Sequence, residues 1–312
     1  MSRSYDQVHS RIDFRPSGMN GQRDIVGNSR RVPMPIIRSV RGHSRKAAAM
    51  VERAGRKVFC DAQTARLAGI EDGVRPDTKS LAADVDLLLV FGGDGTILRT
   101  GREIAGIRTP ILGVNIGGLG FLTGVPSDEL ASALKLVWRG EFKYESRALI
   151  EATGRSQGRP FQETALNDIV VSRGAVSRLI ALDVSVDGEP ITRYRCDGLI
   201  VSSPTGSTAY SLAAGGPIVL PTADVFCLTP ISPHSLSNRS IILPLSSAIR
   251  IKAINSAPAT LMSADGQAVA ELGAGDEVTI RRSRRAVRLI QLTQGSFLVA
   301  LRRKLHWRGA YL

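Results

Sequence analysis

Apolar and polar positions follow two different rhythms along this chain, and the change falls near residue 143. Before it, short apolar runs alternate with stretches of helical spacing. Ser44 to Ala54 sets Ala47, Met50, Val51 and Ala54 on one face and is stopped by Gly55, which predicts a helix. Lys57-Val58-Phe59-Cys60 predicts a short strand, and Pro35-Ile36-Ile37 offers a weak first strand. Leu87-Leu88-Leu89-Val90-Phe91 is an unbroken apolar run that stops at Gly92-Gly93-Asp94-Gly95-Thr96. After it, Ile97, Leu98, Gly101, Ile104 and Ala105 share a helical face. Pro110 to Asn115 repeats the pattern and ends in a second glycine-rich loop, Ile116 to Gly124. Ser127 is then placed to cap a helix in which Leu130, Leu134 and Val137 recur. This rhythm predicts an α/β domain over residues 34–142, built on a parallel sheet with both glycine loops at one edge.

From residue 143 to 296 strands dominate and the period falls to two. Leu182, Val184 and Val186 alternate with Asp183, Ser185 and Asp187, and Asp187-Gly188 signals a hairpin before Ile191 to Tyr194. Further strands are predicted at Leu199–Ser202, Val225–Thr229, Ile249–Ile254, Val278–Arg282 and Val287–Leu292, giving a β-rich, sandwich-like second domain. Residues 297–312 begin with the pattern of a closing helix; in proteins of this build such a last segment often crosses back to the first domain, which the pattern alone does not show. Residues 1–33 are polar, basic and aperiodic, which predicts disorder or loose packing.

Composition narrows the class of protein. The 312 residues are 43% hydrophobic with 5% aromatics, ordinary for a soluble protein with an aliphatic core. No apolar run approaches a membrane span, and the N-terminus carries no signal-like apolar segment. The three cysteines are far apart and suit neither a disulfide framework nor a metal cluster, which points to a reducing cytoplasm. The formal net charge is +13, and residues 1–50 hold ten Lys/Arg against three Asp. Neither this cluster nor the one at 281–308 is interleaved with stacking aromatics, so nucleic acid is a minor reading of the charge.

Four stretches carry candidate chemistry. Gly92-Gly93-Asp94-Gly95-Thr96 joins a buried strand to a helix N-terminus, a natural seat for phosphate. The alternative is a plain turn with Asp94 or Thr96 as helix cap. Asp94 would repel a phosphate unless it holds a metal or takes a proton. Asn167-Asp168 stands at the mouth of a strand, where an amide and a carboxylate can grip sugar hydroxyls; taken alone, a plain loop-to-strand turn is the stronger reading. A hydroxyl-rich run, Ser202 to Ser211, follows a buried strand and suits a polar ligand lying against backbone. Ser263-Ala264-Asp265-Gly266-Gln267 reads as a hairpin turn, and His234 as structural. No residue set shows metal-ligand spacing.

Taken together, Gly92 to Thr96, Asn167-Asp168, Thr205-Gly206-Ser207-Thr208-Ala209-Tyr210-Ser211 with Gly215-Gly216-Pro217, and Pro233-His234-Ser235-Leu236 resemble the NAD kinases. The Asn115 loop and Asp265-Gly266-Gln267 agree as well. These enzymes phosphorylate the adenosine ribose 2′-hydroxyl of NAD to give NADP. The resemblance implies an α/β domain and a β-sandwich-like domain with the site between them, ATP and Mg²⁺ as cofactors, and a cytoplasmic homo-oligomer, dimer or tetramer. It implies Asp94 as proton acceptor, with Gly92, Gly93, Gly95 and Thr96 around the phosphates. It further implies NAD contacts at Asn167, Asp168, Arg178, Arg195, Asp197, Thr208, Ala209, Tyr210, Ser211, Leu212, Ala213 and Gln267. Asp168 replaces the more usual glutamate, shortening the reach by one methylene. Polyphosphate in place of ATP is left open.

Two other readings compete. A lipid or sugar kinase would share only the first glycine motif, and the hydroxyl-rich run argues against it. A non-catalytic nucleotide- or nucleic-acid-binding protein would account for the charge but leaves Asp94 without a task.

Overall fold

The computed structural model describes residues 34–37, 43–118, 120–174, 178–235, 237–254, 260–292 and 297–307. The segment 1–33 of the sequence reading lies outside them. The first part of the chain runs β1 (Met34–Ile37), α1 (His43–Arg53), β2 (Val58–Asp61), α2 (Ala62–Ala68), β3 (Val74–Arg75) and α3 (Thr78–Ala83). It continues through β4 (Leu88–Gly92), α4 (Asp94–Glu103), β5 (Ile111–Asn115), β6 (Val125–Pro126) and α5 (Leu130–Trp138). The second part holds β7 (Phe142–Ser156), β8 (Arg159–Ala165), β9 (Asp168–Arg173), β10 (Ile180–Val186), β11 (Glu189–Cys196) and β12 (Gly198–Ser202). A 3₁₀ turn (Thr205–Thr208) and α6 (Tyr210–Ala213) follow. The last elements are β13 (Val225–Ile231), β14 (Ile241–Pro244), β15 (Ile249–Ala253), β16 (Thr260–Ala264), β17 (Gln267–Leu272), β18 (Glu277–Leu292) and α7 (Phe297–Lys304).

The fold is an α/β N-terminal part on parallel strands followed by a β-rich part of antiparallel sheets. The parallel strands stand in the order β3-β2-β1-β4-β5, so the order reverses between β1 and β4. That reversal opens a crevice beyond the strands' carboxyl ends, which is where α/β sheets take ligands. The short β1 forms, pairing with both β2 and β4. The unbroken apolar run at 87–91 has a simple cause. Leu89 and Phe91 pack with α1 and α5 on one face, whereas Leu88 and Val90 pack with α3 and α4 on the other. A strand covered on both sides has no polar face to show.

One strand joins the two parts. The N-terminal half of β18 pairs with β15, and its C-terminal half reaches the parallel sheet through Leu289 opposite Ile111 of β5. The sequence reading of two strands at 278–282 and 287–292 is corrected here: they are one 16-residue strand. Its register against β7 shifts between Arg282 and Ala286, a bulge that absorbs the arginine-rich stretch while pairing continues on both sides. Residues from β7, β10, β15 and β18 meet those of β9, β12, β13 and β16 in one apolar cluster, so the two sheets form a sandwich.

Two caps differ from expectation. Ser127 is not the cap of α5; that position is Glu129, and no side chain bonds there. Ser127 instead donates its N–H to Asn115 O at 3.0 Å, which pins the turn to β5. Helix α4 is capped by Gly93, which leaves Asp94 in the first turn with its side chain free for other work. The predicted hairpin at Asp187-Gly188 forms, with φ of 52° and 92°. Among the described residues no helix is long and apolar enough to cross a membrane.

Leu89 is fully buried between two helices and the sheet. Leu89→Ala is expected to lower stability by about 2–5 kcal/mol. Urea unfolding should show this as a lower midpoint at unchanged slope.

Candidate active site

The first glycine turn and the second glycine loop are joined by Asp94. Strands β4 and β5 are parallel neighbours, so the loops that follow them stand side by side. The Asp94 carboxylate accepts the N–H of Phe121 at 2.8 Å and that of Leu122 at 3.0 Å. A side chain at position 120 would overlap this carboxylate, so only glycine fits there. Asn115 shapes the same loop, accepting from Gly117 N–H and donating to Gly118 O, each at 2.9 Å. Gly93 and Gly95 are exposed at the crevice, Gly92 closes β4, and Thr96 is half-buried in the first turn of α4. Helix α7 packs over the second loop: Phe297 lies 5.9 Å from Phe121 between ring centroids, and Lys304 Nζ is 4.6 Å from the Phe121 ring.

A second carboxylate organises the opposite wall. Asp265 sits in the β16–β17 turn with φ of 46°, and its side chain is almost wholly buried. It accepts the N–H groups of Leu166 at 3.0 Å, Asn167 at 2.7 Å and Asp168 at 3.2 Å. The hairpin predicted at Asp265-Gly266 is therefore present, and its side chain also fixes the Asn167-Asp168 mouth, which the sequence reading did not anticipate. Asp168 is buried beside it, and desolvation first, then the Asp265 charge, push its pKa up to about 7.

The hydroxyl-rich run folds against this mouth. Ser203 N–H donates to Asn167 O at 2.8 Å, and Ser203 Oγ donates to Leu166 O at 2.5 Å. Gly206 packs so closely on the Asn167 backbone that a Cβ there would overlap its carbonyl. Ser207 and Ser211 are fully buried and bond inward, Ser207 Oγ with Pro204 O and Val219 N–H, Ser211 Oγ with Thr229 Oγ1. Thr208, Ala209 and Leu212 are half-buried, while Tyr210 and Ala213 are exposed. Many of these hydroxyls are thus structural, and the surface left for a ligand is formed by Thr208, Ala209, Tyr210, Leu212 and Ala213.

The match to known proteins is extensive. The ATP-NAD kinase N-terminal domain family matches residues 44–142, and the ATP-NAD kinase C-terminal domain family matches residues 166–292. This chain belongs to the NAD kinase family. The NAD kinase of Paracidovorax citrulli is 40% identical over 82% of this chain and 87% of its own length. That of Syntrophotalea carbinolica is 41% identical over 81% and 89%. Among solved structures, yeast NADH kinase complexed with NADH superposes with a TM-score of 0.80 at 27% identity, covering 91% of this chain and 90% of that one. An NAD kinase from Archaeoglobus fulgidus in complex with ATP gives 0.71 at 26%, covering 89% and 100%.

Not all the residues suggested by resemblance to this family are tied into the crevice. Asp197 pairs with Arg173 at 2.8 Å, and Arg195 is exposed with its carbonyl accepting from His234 N–H at 2.8 Å. Arg178 and Gln267 are exposed. Two arginines were missed. Arg102 on α4 reaches across to the Asp265 turn, donating to Ala264 O at 3.0 Å and lying 3.6 Å from the Asp265 carboxylate. Arg147 on β7 is 4% exposed, pairs with Glu145 at 3.1 Å and donates to Thr205 Oγ1 at 3.4 Å. An arginine on the buried face of a strand was the available signal. Cys60, Cys196 and Cys227 are free and buried, and burial is the largest cause that pushes each thiol up to about 11.

Asp168 makes folding pH-dependent. The folded protein keeps this proton up to about 7 and the unfolded chain releases it near 3.8. Folding therefore takes up a proton between those values, and the stability this group contributes is lost as pH rises through them. Asp168→Asn removes the titration. Its thermal midpoint relative to the parent should rise across that window, and a difference that stays flat with pH would contradict the assignment.

Proposed function

We propose that this chain is an NAD kinase that transfers the γ-phosphoryl group of ATP to the adenosine ribose 2′-hydroxyl of NAD. The observation that carries this reading is the Asp94 carboxylate, held by Phe121 and Leu122 N–H at the mouth of the first glycine turn. In this reading the ribose lies between Asp94 and the Asn167-Asp168 mouth. Asp94 accepts the 2′-hydroxyl proton as that oxygen forms its bond to the γ-phosphorus. The bond from the γ-phosphorus to the β,γ-bridging oxygen breaks, and ADP leaves with the bonding pair. The exposed amides of Gly93 and Gly95 face the donor's phosphates at the α4 N-terminus. Thr208 to Ala213, with Arg178, Arg195, Asp197 and Gln267, are the further NAD contacts of this proposal.

Among the described residues no three His, Cys, Asp or Glu side chains cluster as a metal cage. Magnesium fits this crevice as the complex with the donor's phosphates, where it neutralises charge that builds up during transfer. Asp168, with its raised pKa, is neutral through part of the physiological range and then donates rather than accepts a hydrogen bond to a ribose oxygen. We read the protein as cytoplasmic and homo-oligomeric. Its buried free thiols and the exposed Ile191, Tyr210, Leu220 and Ile242 support that reading.

Purified protein incubated with ATP, Mg²⁺ and NAD should yield NADP, measured with an NADP-specific dehydrogenase; well-folded protein that makes none ends the proposal. Asp94→Asn should lose about 100-fold to 10,000-fold in kcat, the range of general-base catalysis, with NAD affinity little changed. Gly120→Ala, whose methyl group would displace the Asp94 carboxylate, should lose activity in the same direction with Asp94 still present.

A further inference from the structure

We propose that Arg147 is a positioning residue for phosphoryl transfer, linking the hydroxyl-rich turn to the glycine loops so that Asp94 meets the acceptor hydroxyl in line. This rests on Asp94 being the proton acceptor.

Arg147 belongs to the β-rich part of the chain by sequence but lines a cavity with the second glycine loop. It stands on β7 opposite Val287 of β18, and Val287 packs in the apolar cluster that also holds Ile97 of α4. From there its guanidinium bonds two partners and lies in the field of a third group. Glu145, two residues back on the same strand face, pairs with one terminal nitrogen at 3.1 Å. Thr205, the first residue of the 3₁₀ turn, accepts from the other at 3.4 Å. The Asp94 carboxylate is near enough to favour the charged form, although burial, the largest influence, lowers the pKa. Arginine stays protonated in proteins, so this is a permanent buried cation.

A buried cation in such a place is a poor choice for stability alone. A well-packed apolar residue of similar size is often as good or better, because it carries no desolvation penalty. The guanidinium is also not fully satisfied. Its Nε has no partner, nor has the buried Thr123 Oγ1 of the second glycine loop. Both residues line one cavity of about 290 Å³, together with Asn115 and Gly120. The other charged residues lining that cavity are Arg303 of α7 and Glu129 of α5. Lys304 covers Phe121. Of the charged residues lining that cavity, Arg147 is the one bonded to the second half of the site, through Thr205, and it lies in the field of Asp94 in the first. Its fork fixes two directions at once, which a lysine cannot do.

The expected loss is one of alignment. Misplacing a reacting group by about 1 Å costs roughly 100-fold in rate. Arg147→Met should therefore lower kcat for NADP formation by about 100-fold while KM for NAD and for ATP each move less than about threefold. Thr205→Val should give a loss of the same kind, and the double variant should be no worse than the poorer single one, since both cut one link. Arg147→Lys should recover only part of kcat. Independently of activity, amide exchange at Phe121 and Leu122, whose N–H groups Asp94 holds, should speed up in Arg147→Met by more than at other amides of the sheet. Losses that multiply in the double variant, or exchange at Phe121 and Leu122 no faster than in the parent, overturn the proposal. If Arg147→Met does not fold, Arg147→Lys takes its place in both measurements. A parent that forms no NADP yet shows the exchange effect overturns the NAD kinase reading and leaves the Arg147 link to Asp94 standing.

Discussion

A carboxylate that accepts two backbone N–H groups is fixed in direction as well as position, and Asp94 is held this way by Phe121 and Leu122. The bond depends on features distant from it. Strands β4 and β5 must be parallel neighbours so that their loops emerge together. Position 120 must lack a side chain. Gly93 must take the helix cap, so that Asp94 is not consumed by capping its own helix. Asp265 repeats the device on the facing wall, where three consecutive N–H groups at 166–168 converge on one carboxylate. In both cases backbone N–H groups set the direction of the carboxylate, so little side-chain freedom is left to lose; at Asp265 burial outweighs these bonds and pushes the pKa up.

Strand β18 ties the parallel strands of the first wall to the antiparallel strands of the sandwich. Its bulge lets one strand carry the antiparallel neighbours β15 and β7 and the parallel neighbour β5 within a single sheet, and the arginines that break its alternation are accommodated where the register shifts. Arg102 and Arg147 then cross between the walls as charged links. Opening of the crevice would have to stretch these contacts, so they constrain relative motion of the walls.

Much of the fold was legible because it rests on local periodicity. The run at 87–91 reads as a doubly covered strand, the alternation at 182–186 as a half-covered one, and Asp187-Gly188 as a turn. The single strand at 277–292 was not legible, since Arg281, Arg282, Arg284 and Arg285 interrupt the pattern and only pairing with β7 carries the strand across. Strand β7 itself mixes polar and apolar positions over 15 residues because its neighbours change along its length. At the site, Asp94 and Asn167-Asp168 stood out by composition and spacing. Arg147, Arg102 and the buried role of Asp265 did not, since each is defined by partners about sixty to more than a hundred and sixty residues away. Arg178, Arg195 and Gln267 rest on resemblance.

The pairing of Leu289 with Ile111 also orders events during synthesis. Strand β6 covers β5 at Val114 and Asn115, but until residue 289 has left the ribosome Ile111 lacks its partner on that edge, and the parallel sheet waits for a strand encoded almost 180 residues later. Phe121 likewise lacks its cover until α7 emerges. The glycine loops can form early, but their final setting comes late, so a nascent chain stalled before β18 would expose a sheet edge and hold chaperones longer than its compact start suggests.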